Sequence, residues 1–220
     1  MQNPEEFKDT ELEFEEKKPW YKGPIKYILA AFLVLIIIAM IVPHYAVTLD
    51  PEPQNIPALA QVLPLNMEIP ANTSQNYQEL VKPSDPIIKQ IADKIASQSC
   101  KESKICQAKA IYYFTRDNIN YVSDPIGTEY LEDPREVLAT AAADCESGAI
   151  LLASLQEAIG IDAQLVFIPG HAFVRIQLDK ARAKYKQPDG YIYLDWACNT
   201  CEFGEIPYKN IKEEKQILEV

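Results

Sequence analysis

Histidine is almost absent from this chain of 220 residues: only His44 and His171 occur, so chemistry that needs an imidazole has two candidates. Clustered cations are absent as well. With 21 basic against 32 acidic residues the formal charge is −11, which excludes a nucleic-acid partner, because phosphate contacts need grouped Lys and Arg. No internal repeat is present. What is there is a hydrophobic content of 48%, enough for one well-packed domain with appendages and too much for a disordered protein. The five cysteines fall into two close pairs, Cys100 with Cys106 and Cys198 with Cys201, and leave Cys145 as a candidate free thiol.

Residues 1–24 form an acidic tail, with Glu5, Glu6, Glu11, Glu13, Glu15 and Glu16 offering too little apolar surface to bury. Residues 27–42 carry no charge, and with Ile25 and Tyr45 at the flanks the segment 25–45 approaches the ~20 residues that span a bilayer. Trp20, Tyr21, Tyr27 and Tyr45 stand where interfacial aromatics sit. Lys17, Lys18, Lys22 and Lys26 precede the span and no Lys or Arg follows it until Lys82, so the positive-inside rule puts the N-terminus in the cytoplasm and the rest outside. A cleaved signal peptide is the rival, without an evident small-residue cleavage pattern. Residues 46–83, with Pro51, Pro53, Pro57, Pro64 and Pro70, read as a semi-extended spacer. Asn72-Thr73-Ser74 matches a glycosylation acceptor. The core is expected wholly within 84–220.

In that domain Asp85-Pro86 caps a helix that carries Ile87, Ile88, Ile91 and Ile95 and ends near Ser99. A second helix is predicted over 103–118 and a short third one after Asp133-Pro134. Asp144 can cap the next helix, Glu146 suits its first turn, and Gly160 suits a left-handed stop. Cys145 is then a first-turn residue on a helix apolar nearly all round, expected to lie between layers. After Gly160 the pattern alternates, predicting strands over 164–168, 171–178 and 191–196 joined by Pro169-Gly170 and Asp189-Gly190, an antiparallel meander. The fold class is α+β.

A thiol at the positive end of a helix, near an imidazole, is lowered in pKa and becomes a nucleophile. His171 opens a strand, and Asp195 lies on the following one, where a carboxylate can orient the ring. Each residue also has a structural reading, as a small buried hydrophobe, a strand-edge histidine and a turn cap.

Pro134-Arg135-Glu136-Val137-Leu138, Asp144-Cys145, Ala149-Ile150-Leu151-Leu152-Ala153-Ser154-Leu155, Gly160-Ile161-Asp162-Ala163, Gly170-His171-Ala172-Phe173-Val174 and Leu194-Asp195 together resemble the transglutaminase-like core of bacterial and archaeal proteins. The resemblance covers about 120–196. It implies a papain-like arrangement with Cys145 as nucleophile, His171 as general base and acid, Asp195 as orienter, and no cofactor. Many relatives carry a glycine shortly before the nucleophile, where this chain has Ala141-Ala142-Ala143-Asp144. Animal transglutaminases hold the oxyanion with an upstream aromatic donor, and Tyr121 occupies the similar place, either in that role with the Cys145 N–H or as a packed strand tyrosine.

Outside the cytoplasm the paired cysteines favour disulfides, within each couple or crossed. The alternative is a zinc site of Cys100, Cys106, Cys198 and Cys201. The functional expectation is a membrane-anchored enzyme that attacks a peptide or protein substrate at the cell surface through a thioester at Cys145, with hydrolysis preferred to cross-linking. The competing readings are a catalytically idle binding or scaffolding module and a redox protein using Cys198 and Cys201, which lacks the usual βαβ context.

Overall fold

A computed structural model describes residues 23–70, 74–125, 127 and 130–220. The tail up to 22 and Asn72-Thr73 of the glycosylation motif lie outside the described residues. The chain divides into two compact units, 1–45 and 46–220.

The first unit contains most of helix α1 (Ile25–Leu49). Over Ile25–Val42 this helix is long and apolar enough to cross a membrane or to serve as a signal sequence, and none of that stretch is buried.

In the second unit two short helices, α2 (Leu59–Val62) and α3 (Tyr77–Leu80), lead into α4 (Pro86–Ser99) and α5 (Lys104–Asn118). Both long helices start as their sequences require. The Asp85 carboxylate accepts from the N–H groups of Ile87 and Ile88, with Pro86 at the first turn, and the Ser103 hydroxyl accepts from the N–H of Cys106. These caps satisfy donors that a helix start otherwise leaves unpaired. Strand β1 (Asn120–Tyr121), helix α6 (Pro134–Thr140) and strand β2 (Ala142–Ala143) follow, β1 and β2 pairing in parallel as Tyr121↔Ala143. Then comes α7 (Cys145–Ala158), buried along nearly its whole length against α4, α5, α6 and the sheet. Its run ends as expected, with Gly160 at φ 72°, a conformation that a Cβ disfavours.

Strands β3 (Ala163–Ile168), β4 (His171–Ile176) and β5 (Ile192–Leu194) form the expected antiparallel meander. Helix α8 (Tyr208–Ile211) and strand β6 (Gln216–Glu219) close the chain. Strand β6, which the sequence pattern did not suggest, pairs antiparallel with β3, giving the order β5-β4-β3-β6. One face of β4 turns Ala172, Val174 and Ile176 into the main core under α7, while Phe173 joins a smaller cluster with Tyr193 and Ile206.

The four outer cysteines form two disulfides as favoured, each within its close couple, Cys100–Cys106 and Cys198–Cys201, and oxidised sulfurs have no thiolates to offer the alternative zinc. One expectation needs correction. The segment 46–83 is not a free spacer. Val62 and Leu80 are fully buried in the main core. Asp50 and Glu52 hold the ammonium of Lys109, itself fully buried, at 2.6 and 2.5 Å, and the Tyr185 hydroxyl lies 3.0 Å from the same nitrogen. Although burial favours the neutral amine, these partners hold the Lys109 pKa above its usual value. Proline denies a segment regular structure but leaves its side chains free to pack.

A fragment beginning at Ser84 would therefore lose two core side chains, worth about 1.5–3 kcal/mol each, and leave a buried cation unpaired, at about 3–5 kcal/mol. Circular dichroism should show cooperative melting for 46–220, with 84–220 melting far lower or without cooperativity. Equal melting of the two would contradict the packing of 46–83.

Candidate active site

The site assembles at the end of the sheet nearest the start of α7. Strand β2 delivers the chain to Asp144, whose carboxylate caps α7 by accepting from the Ser147 N–H at 2.8 Å. Cys145 is thereby the first residue of a buried helix, half-buried itself, and it is the free cysteine among the five. Aligned peptide dipoles place partial positive charge at its position.

His171 is brought in by the tight turn after β3. Ile168 and His171 pair across Pro169-Gly170, with Gly170 at φ 71°. The register Val174↔Leu194, carried one step further, sets Asp195 opposite Phe173 and on the same face as His171. The Nε2–H of His171 accordingly donates to Asp195 Oδ2 at 2.9 Å, and the aspartate is 1% exposed. The Cys145 sulfur lies near enough to the imidazole to interact with it. Burial alone would push the His171 pKa down, but the Asp195 carboxylate and the Cys145 sulfur outweigh it and raise the value to about 9. His171 thus holds Asp195 directly and has the Cys145 sulfur nearby. His44, the other histidine, falls in α1.

Tyr121 stands beside them, half-exposed, its ring 6.2 Å from that of Trp196. Partial burial raises its pKa, with the nearby Cys145 sulfur adding to the effect. A cavity of about 320 Å³ opens next to the imidazole, with Tyr121, His171, Cys198, Lys209 and Asn210 among its walls.

Two neighbours escaped the reading of the sequence. Trp196, 1% exposed, donates its indole N–H to the Cys145 carbonyl at 3.1 Å. It lies so close to α7 that a Cβ on Gly148 would meet the indole at 2.0 Å. Asn210, buried in α8, directs its amide to Asp195 Oδ2 at 3.4 Å. A tryptophan directly after the expected aspartate, and a glycine in the first turn of an otherwise apolar helix, were the available signals for the first. Nothing local pointed to the second. The loop after Asp195 is tied down by Cys198–Cys201 and by the Tyr112 hydroxyl, which donates to the Cys201 carbonyl at 3.0 Å.

A thiol at a helix start, joined to an imidazole that a buried carboxylate orients, is an arrangement competent for cysteine acyl transfer, and here it sits in a transglutaminase-like α+β core. Residues 89–196 match the Transglutaminase-like superfamily. Among solved structures it is similar to Legionella pneumophila LapG, at 18% identity and TM-score 0.39 over 58% of this chain and 74% of that one. The EGTA-treated form of LapG aligns at 16% identity and TM-score 0.43, over 66% and 83% of the two chains. A candidate cysteine protease from Cytophaga hutchinsonii aligns at 15% identity and TM-score 0.40, over 68% of this chain and 53% of its own length. Comparison with curated proteins gives no match.

The raised pKa of His171 predicts a pH-dependent stability. The folded state keeps the imidazole protonated to about pH 9, whereas the unfolded chain releases that proton near the ordinary value of 6.5. The folded form binds more protons between those values. The contribution is therefore complete below 6.5 and lost as pH rises towards 9. Urea midpoints measured across this window should fall in the native protein and fall less in His171→Ala. Parallel profiles would show that the imidazole is not held by Asp195 and Cys145.

Proposed function

We propose that this protein is a membrane-anchored cysteine enzyme that attacks a peptide or amide carbonyl and carries the acyl group as a thioester on Cys145. The observation that supports it most is the meeting of the unpaired cysteine, at a helix start, with an imidazole whose far nitrogen is held by a buried carboxylate. Cys145 Sγ bonds to the carbonyl carbon as the C–N bond breaks, and His171 gives its proton to the departing nitrogen. Water then gives a proton back to His171 as its oxygen attacks and the S–C bond breaks. Asp195 orients the ring and stabilises its charged form throughout. The Cys145 backbone N–H and the Tyr121 hydroxyl serve the oxyanion. An amine in place of water would make the same machinery a cross-linking enzyme; the bacterial and archaeal character of the resemblance favours hydrolysis.

Helix α1 is read as the anchor, with residues 1–24 cytoplasmic and the domain outside, where a peptide or protein substrate at the cell surface would meet it. The lysines grouped before the helix support the orientation, and two disulfides fit an oxidising compartment. Protease added to intact cells should digest the domain and spare an epitope before Tyr27; protection of an epitope after Val220 would reverse the orientation.

Iodoacetamide should label Cys145 in the folded protein, while the disulfide cysteines stay inert. His171→Ala should slow labelling near neutral pH and remove turnover of amide or ester substrates, and Asp195→Ala should lower turnover by less. Labelling only after unfolding, or at one rate with and without His171, would sink the enzyme reading in favour of a binding module.

A further inference from the structure

The cavity beside His171 is lined on the imidazole side of the site, and Cys145 is not among its walls. In acyl transfer through a thioester, the group that arrives at or leaves from the imidazole is the amine or water component, because that component exchanges its proton with the ring. The acyl part stays on sulfur. Position alone therefore relates this cavity to the amine side of the scissile bond.

Its charge is equally one-sided. Lys209, exposed at the start of α8, contributes to the wall together with Asn210. Among the described residues no carboxylate pairs with Lys209. The acidic side chain in the lining, Asp195, is 1% exposed, and the oxygen it does use is committed to His171 and Asn210. An anion approaching a protein of net charge −11 is repelled over most of its surface and meets here a cation that no carboxylate among the described residues pairs with.

We propose that this cavity receives the amine component of the bond that Cys145 opens or forms, and that Lys209 selects an amine component carrying a negative charge, such as an acidic side chain or a terminal carboxylate. The inference rests on the thioester reading above and adds a substrate class to it.

The test uses the full chain in detergent. p-Nitrophenyl acetate transfers its acetyl group to Cys145 Sγ and releases p-nitrophenolate. The acetyl-enzyme is then offered Gly-Asp-amide, Gly-Asn-amide or Gly-Lys-amide, whose free amine takes the acetyl group while its proton passes to His171. Mass spectrometry reads the acetylated dipeptides, and where water wins, the slowing of acetate release by each dipeptide amide is read instead. Gly-Asp-amide should be preferred to Gly-Lys-amide by about threefold, as a partly exposed ion pair allows, with Gly-Asn-amide between them. The preference should shrink at high salt and reverse in Lys209→Glu. Equal use of the three, or a ratio unchanged in Lys209→Glu, overturns the inference and leaves the thioester reading intact, since acetyl-enzyme has formed. Failure of Cys145 to take the acetyl group overturns both.

Discussion

The Trp196 indole wedged against Gly148 is the contact on which the geometry of the site depends. Helix α7 is buried against three helices and the sheet, so its register along its own axis is set mainly by apolar packing, which is non-directional. The indole adds direction. It occupies the space a Cβ at residue 148 would need, and its N–H reaches the Cys145 carbonyl. Any larger residue at 148 would drive a buried ring out of place and with it the strand end that carries Asp195.

Adjacent residues then serve opposite sides of the sheet end. Successive side chains of an extended chain point to opposite faces, so Asp195 turns to His171 while Trp196 turns to α7. One short segment thus fixes the imidazole and the nucleophile helix relative to each other. The acid is constrained further: Asp195 Oδ2 accepts from both His171 and Asn210, while Oδ1 is buried with no protein donor among the described residues. A carboxylate so placed favours the charged imidazole, which is expressed in the raised pKa of His171.

What the sequence made legible was local or periodic. Asp85, Ser103 and Asp144 announced their helices because a cap acts within three residues. The alternation after Gly160 announced β3, β4 and β5, and the order of their turns placed His171 near Asp195. Interactions between distant segments were not legible. Strand β6 has four residues, mostly exposed, and follows a charged run, too short a pattern to separate from a tail. Asn210 reaches Asp195 only because α8 folds back, and no periodicity records that. The proline-rich stretch misled for a different reason: lack of regular structure was equated with lack of burial, whereas Val62, Leu80 and the Asp50–Lys109 pair belong to the domain.

The alanine run before Cys145 shows what a departure from a family pattern can mean physically. Ala141 ends α6 in the left-handed region, at φ 54° and ψ 30°, a conformation that costs a residue with a Cβ about 1 kcal/mol relative to glycine. The cost is sustained because the conformation is pinned from both sides. The Ala141 N–H donates to the Val137 carbonyl at 2.9 Å, and its own carbonyl accepts from the Asn120 backbone at 2.8 Å and the Asn120 side chain at 3.1 Å. That turn reverses the chain from α6 into β2 and sets β2 beside Tyr121. A glycine at 141 would serve this reversal at lower energy, but the hydrogen bonds that impose the turn do not involve a side chain at 141.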